Sequence, residues 1–278
     1  MKINSRKRFL FLLLIIINLF SFQKLKADEA KEIWDYSVWA SLGTIYHEIG
    51  HHLVDIYNIP VFGNEEDVAD SFIVYGLLQT KGRFNTEETY KEWADWYHKI
   101  LTESLDVHYY KYLLGTDYKE EVITHSSTKR RFYNLTCFMK SGNPEYFNAY
   151  IKKRRIDHLL REKCNFAYGE MVTSWNTFIK KNWVGGPKTT KKLIPIFETP
   201  EDKYYLSIKN YFEKSEVLSW TLEQFPIELP QSLIVRFKKC GVKNAFYSLD
   251  RKEVVVCYEL LKDYASLKSK IISLKKGL

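Results

Sequence analysis

Five consecutive residues, His47-Glu48-Ile49-Gly50-His51, carry the strongest chemical signal in this sequence. Imidazoles at i and i+4 share one face of a helix, so His47 and His51 can aim ring nitrogens at a single metal ion. Glu48 stands beside them, placed to take a proton from a metal-bound water, which is the work of a general base. Gly50 leaves room for a neighbouring helix or a substrate to come close. On its own the H-E-x-x-H spacing also arises on ordinary polar helix faces, where neighbours simply satisfy the histidines. Residues further along strengthen the metal reading. A zinc ion that keeps one position open for water takes three protein ligands, and Glu66 falls in the first turn of the next expected helix. Asp70 is four residues further, on the same face. Stabilisation of a helix dipole accounts for Glu65 and Asp67, but not for Asp70, which lies deeper in the helix. His52 is rotated about 100° from His51 around the helix axis and reads as a packing or surface residue.

These side chains must be held by helices. Residues 28–57 read as one long helix, with Trp34, Val38, Leu42, Ile45, Ile49 and Leu53 recurring at three and four. Pro60 and the turn from Asn58 to Gly63 end it. Asn64 caps a second helix with Glu65, Glu66 and Asp67 in its first turn and an apolar face through Ala69, Phe72, Ile73 and Leu77. Further helical patterns cover 86–114, about 128–139, 144–152 and 158–181. Residues 184–202 read as a linker, most clearly at 184–190 (VGGPKTT). A helix near 203–215 follows, then an alternating strand from Ser232 to Lys238. Ala245–Tyr247 and Glu253–Tyr258 flank a turn at Leu249–Lys252, and a last helix runs from about 259 to 274. The reading is a mainly helical α+β fold with a small C-terminal β-hairpin or sheet. Residues 28–183 form the helical zinc-binding catalytic region, and 203–278 a C-terminal α+β region packed on it.

Composition narrows the function classes. With 45% hydrophobic and 27% charged residues in 278, the chain is globular, with enough length for one substantial core or a large and a small domain. The formal charge of +8 suggests nucleic acid as a partner, yet six of the cations lie in residues 1–27, which hold no acid. Without that segment the charge falls to +2, and the concentrated basic face of a nucleic-acid binder is missing. The same segment has a basic start (Lys2 to Arg8), an apolar run (Phe9 to Phe22) and a polar stretch ending at Ala27. It reads as an export signal cleaved after Ala27, with an uncleaved anchor as the alternative. The run is shorter than the roughly 20 residues a membrane span needs. The expected location is therefore secreted or periplasmic, with no stable span after cleavage. Cys137, Cys164, Cys240 and Cys257 suit two disulfides in an exported protein. Cys137–Cys164 and Cys240–Cys257 is the favoured pairing of the three, because each closes a short loop within one region. The absence of any C-x-x-C disfavours a structural zinc knot.

The Glu66-x-x-x-Asp70 arrangement is similar to that of thermolysin-like peptidases, the gluzincins, where the glutamate binds zinc and the aspartate steadies a ligand histidine. A metzincin is set aside, since Val54 and Tyr57 stand where it needs Gly and His. More specifically, HEIGHHLVDIYNIPVFGNEEDVADSF (His47 to Phe72) resembles the metallopeptidase family labelled domain of unknown function 4344. Its members show H-E-L-G-H-A-L and then L-P-V-x-G-R-E-E-D-x-A-D. The likeness continues at His125 to Phe138, Leu159 to Trp175 and Leu229 to Leu261. It implies one zinc ion per chain held by His47, His51 and Glu66, with Glu48 as general base and Asp70 behind a ligand. His125 matches a family histidine; it either stabilises the oxyanion or is an ordinary loop histidine. Arg130, Asn64 and His52 depart from the usual glutamine, arginine and alanine, and none is a proposed ligand. The implied activity is hydrolysis of a peptide or protein substrate. The alternatives are a metal-dependent hydrolase of another bond and a non-catalytic exported metal-binding protein. Gluzincins place a sheet before the motif helix, whereas here any sheet must come from the C-terminal hairpin at 232–258, so Asn244 to Tyr247 are expected near the cleft.

Overall fold

A helix that is apolar on all sides belongs in a core, and the stretch from Tyr36 to Leu42 is buried without a break. It lies in α1 (Ser5–Ile56), the 52-residue helix around which a computed structural model of the chain is organised. Residues 5–79, 87–114, 127–156, 163–179, 193–223, 225, 227 and 229–276 are described, with side chains from residue 26 onward except at 79, 87–97 and 112. The helix runs unbroken through the start expected at residue 28. It ends where Asn58 turns left-handed (φ 48°) and the Ile59 N–H donates to the Val54 carbonyl at 3.0 Å.

The chain then reverses into α2 (Glu65–Gln79). The Asn64 side chain accepts the Glu66 N–H at 3.0 Å and so satisfies one of the orphan donors of the first turn. The two helices pack closely because Gly50 has no side chain: a Cβ there would lie 2.8 Å from the Ala69 Cα. Helices α3 (Glu87–Leu113), α4 (Thr128–Gly142), α5 (Pro144–Arg154) and α6 (Cys164–Ile179) complete this part. Ser127 caps α4 by accepting the Arg130 N–H, Asn143 caps α5, and the Cys137–Cys164 disulfide joins α4 to α6.

The C-terminal part is a four-stranded sheet of β1 (Leu193–Phe197), β2 (Leu233–Lys238), β3 (Ala245–Ser248) and β4 (Glu253–Cys257), in the order β1-β2-β4-β3. Strands β1 and β4 run parallel to β2, and β3 runs antiparallel to β4. The sheet is thus more than the expected hairpin, and β1 occupies residues read as linker. The run LIPIF is five residues long and holds Pro195, which a ladder tolerates on an edge strand such as β1. Helices α7 (Lys203–Glu213), α8 (Glu216–Glu223) and α9 (Tyr258–Lys276) surround it; α8 was not anticipated. The Cys240–Cys257 disulfide ties the end of β2 to the end of β4, and Glu259 accepts the N–H groups of Cys240 and Gly241. One hydrophobic cluster runs through α1 to α9 and the sheet. The chain is a mainly helical α+β protein. Among the described residues no helix is long and apolar enough to cross a membrane.

Bonds between residues far apart in sequence seat the sheet and α9 on α1. The Tyr247 hydroxyl donates to Asp55 at 2.6 Å and lies 3.1 Å from His52 Nδ1, and Lys252 reaches Asp55 at 2.5 Å. Higher up, the Ser37 hydroxyl donates to the Leu261 carbonyl and Thr44 pairs with the Tyr264 hydroxyl, both at 2.7 Å. Substituting Gly50→Ala should destabilise the protein by about 1–3 kcal/mol through overpacking, because the clash is with backbone that cannot swing away. Denaturant unfolding of the variant beside the parent measures it, and an unchanged midpoint would show that α2 yields freely.

Candidate metal centre

The last three turns of α1 present His47, Glu48 and His51, and the first turns of α2 present Glu66 and Asp70. Glu66 Oε2 lies 3.0 Å from His47 Nε2 and 3.4 Å from His51 Nε2. One ligand atom from each of the three lies within 4.8 Å of the others. Ligand atoms about 2.0–2.2 Å from a tetrahedral zinc stand roughly 3.3–3.6 Å apart, so the three lie close enough together to be drawn around one such ion. Two neutral nitrogens and one carboxylate oxygen are also the donor set that zinc accepts. The His47 and His51 rings are nearly perpendicular, at 83°, with centroids 5.0 Å apart.

Each ligand-type imidazole has a second carboxylate at its other nitrogen. His47 Nδ1 is 2.8 Å from Asp70 Oδ1, with the N–H aimed off the line to that oxygen. His51 Nδ1 is 2.7 Å from Glu65 Oε1. Such contacts fix ring orientation and leave Nε2 for a metal. Glu65 therefore has a partner beyond the helix dipole to which its sequence position assigned it. Asp70 is in turn gripped by Arg131 of α4, whose Nε and Nη2 each donate to a different carboxylate oxygen at 2.7 Å. Arg131 was missed. It stands four residues before buried Leu135 on the apolar stripe of α4, and a cation on a core-facing stripe is the signal that reveals such a residue.

The electrostatics follow from this packing. Burial works against the Asp70 carboxylate, but the Arg131 guanidinium and His47 hold its pKa well below the usual carboxylate range. Burial works against charge on His47 too, yet Asp70 and Glu66 raise it to about 9. His51 is also raised: burial opposes its charge, and hydrogen bonds to Glu66 and Glu65 overcome that. Burial pushes Glu48 up, with His47 and His51 pulling the other way and the Tyr247 backbone N–H helping to hold the charged form.

Glu48 and His47 stand between two cavities of about 240 and 580 Å³. Asn244 and Ala245 border both, and Phe246 and Tyr247 border the larger, so β3 walls the cleft. His108 of α3 also lines the smaller cavity; burial lowers its pKa to about 3 and keeps it neutral. No spacing in the sequence links His108 to the motif. His52 is buried against Tyr247 and faces away from the trio. His125 lies outside the described residues.

The buried Arg131–Asp70 pair should be costly to break. Arg131→Leu leaves a buried carboxylate without its cation, which costs about 3–5 kcal/mol, and should weaken metal binding roughly 10–100-fold. Unfolding curves and a competition titration with a chromophoric chelator measure the two effects. At pH 7 the metal-free His47 is protonated, since its pKa is about 9. Metal must displace that proton, so affinity should rise as pH climbs towards 9. Calorimetry in buffers of different ionisation enthalpy should count at least one proton released per ion, and none would contradict a charged His47.

Neither the curated proteins nor the solved structures offer a match to this chain. A family model does: the one described as "DUF4344: Putative metallopeptidase" matches residues 15–179 and 197–274. The match takes in every element of the centre and the β3 wall beside it, and on that breadth the chain belongs to this family.

Proposed function

We propose that the protein is an exported zinc-dependent metallopeptidase, with one Zn2+ per chain held by His47, His51 and Glu66. The observation that carries the reading is the convergence of these three ligand atoms beside Glu48, at a cleft open to solvent. A bound zinc ion supplies Lewis acidity towards a peptide carbonyl and makes water a nucleophile near neutral pH. Glu48 is the general base: its carboxylate takes a proton as the carbonyl is attacked, then delivers it to the leaving amine. Burial, which raises its proton affinity, suits a group that must briefly keep that proton. Asp70 and Glu65 hold the imidazoles in position from behind, and Arg131 holds Asp70. His125, which resembles a family histidine, is the residue we propose for the oxyanion, with an ordinary loop histidine as the alternative.

Export is supported by the leader-like residues 1–27 and by two disulfides, which suit an oxidising compartment. Lys26, Ala27 and Asp28 are exposed, and the described buried positions of α1 begin only at Tyr36. Cleavage after Ala27 would therefore remove none of the described core.

The test is metal content followed by hydrolysis. Protein purified without chelators should hold one zinc per chain, and Glu66→Ala should lose it. Glu48→Gln should keep the metal and lose peptide hydrolysis by roughly 10²–10⁴-fold. A metal-free parent protein would overturn the reading. Metal without any hydrolysis dependent on Glu48 would point to the non-catalytic metal-binding alternative, and Glu48-dependent cleavage of a non-peptide bond to the other hydrolase.

A further inference from the structure

The smaller cavity, of about 240 Å³, lies between α1 and α3 and is bordered also by α9 and the turn into β3. Helix α1 turns Ala40, Gly43, Thr44 and His47 towards it, spaced by three and four, so a single helical stripe makes that wall. The stripe from α3 has the same spacing and holds Ser104, Val107, His108 and Lys111. Most polar groups on these walls already have partners. Arg131 is gripped by Asp70, and Lys111 and Lys243 both reach Asp263, at 4.0 and 2.7 Å. The Thr44 and Tyr264 hydroxyls pair with each other, and the Ser104 hydroxyl donates to the Ile100 carbonyl at 2.6 Å. The lining cations are thus matched. Two neutral side chains are not: neither the His108 imidazole nor the Asn244 carboxamide makes a hydrogen bond to any described residue. Asn244 is exposed, whereas His108 is half-buried, and burial with the Arg131 charge keeps its ring neutral.

We propose that the smaller cavity is a subsite for an uncharged carboxamide side chain, read by His108 and Asn244. The enzyme then selects peptides with Gln or Asn beside the scissile bond, because His47 and Glu48 border the same cavity. The inference rests on the peptidase reading and adds its substrate class. A neutral imidazole offers one N–H and one acceptor nitrogen, and the Asn244 carboxamide likewise offers donors and an acceptor. An incoming carboxamide answers each of these with a complementary group. A carboxylate only accepts, so it faces the two acceptors and gives up water where every lining cation is already matched. A lysine only donates, and it meets like charge from Lys111 and Lys243. An alkyl side chain displaces water from His108 and leaves its nitrogens unsatisfied. Selection therefore comes from what each rival leaves unpaired.

The test uses zinc-loaded full chain and a peptide library in which each position carries Gln, Glu, Leu or Lys in turn, with cleavage read by mass spectrometry. Gln should be preferred over the other three next to the cleaved bond by on the order of tenfold. Added salt should leave the preference of Gln over Leu unchanged, since neither side chain is charged. His108→Leu should abolish that preference, whereas His108→Gln, which keeps a donor and an acceptor, should retain most of it. Asn244→Ala, at an exposed position with little risk of misfolding, should weaken it severalfold. All three variants should hold as much zinc as the parent. Equal cleavage of the Gln, Glu and Leu peptides, or a Gln preference untouched by both His108→Leu and Asn244→Ala, would overturn the subsite. Binding of the same peptides to Glu48→Gln in the presence of zinc, followed by fluorescence anisotropy, separates this from failure of the peptidase reading. If the parent hydrolyses nothing, yet Gln peptides bind preferentially and His108→Leu removes that preference, the subsite stands without the peptidase. No binding, or binding without preference, overturns the subsite whatever the hydrolysis shows.

Discussion

Two helices can share a metal only if their backbones come close, and in this protein the closeness is set at Gly50 against Ala69. With a hydrogen in place of a side chain, α2 lies almost on the surface of α1. Glu66, 19 residues after His47, then comes within hydrogen-bonding distance of both histidines. The pitch of α1 puts His47 and His51 on one face, and the Asn64 cap sets where α2 begins. Move α2 outward by the width of a methyl group and the carboxylate no longer reaches both imidazoles.

Charge then runs outward from that contact through three helices. Glu66 faces the Nε2 atoms, Asp70 and Glu65 sit behind the Nδ1 atoms, and Arg131 locks Asp70 from α4. A low-dielectric setting makes each partner strongly felt and makes any missing partner expensive. The same burial holds His108 neutral and raises Glu48. Packing and chemistry are here one problem, since the groups that would hold a metal are also the groups that must be neutralised for α1, α2 and α4 to pack.

What could be read in advance follows this division. The mainly helical α+β class was legible because α1, α2, α3 and α9 repeat their apolar residues at helical spacing over many turns. Bringing His47, His51 and Glu66 together required only a helical pitch and one short turn, both local properties. Strand β1 was not legible: five residues with a proline inside make a weak pattern, and its pairing partner β2 is 40 residues away. Arg131, Glu65 and His108 escaped for a related reason. Each has its meaning through a residue on another helix, and no spacing within its own segment states that. His52 was legible only as something turned away from His51; its partner Tyr247 lies 195 residues further on.

The distance along the chain between the centre and its wall has a consequence for folding. His47 to Asp70 spans little more than one helical hairpin, so this ligand set rests on local contacts, the kind that form early. Strand β3 reaches the cleft from nearly two hundred residues downstream, where it lies on α1 and pairs with β4. A chain emerging from its N-terminus can therefore close the hairpin that gathers His47, His51 and Glu66 long before the β3 wall of the cleft exists. On the proposed reading, any capacity to hold metal would precede the capacity to hold a peptide, and a half-made chain would have no groove in which to cut its neighbours.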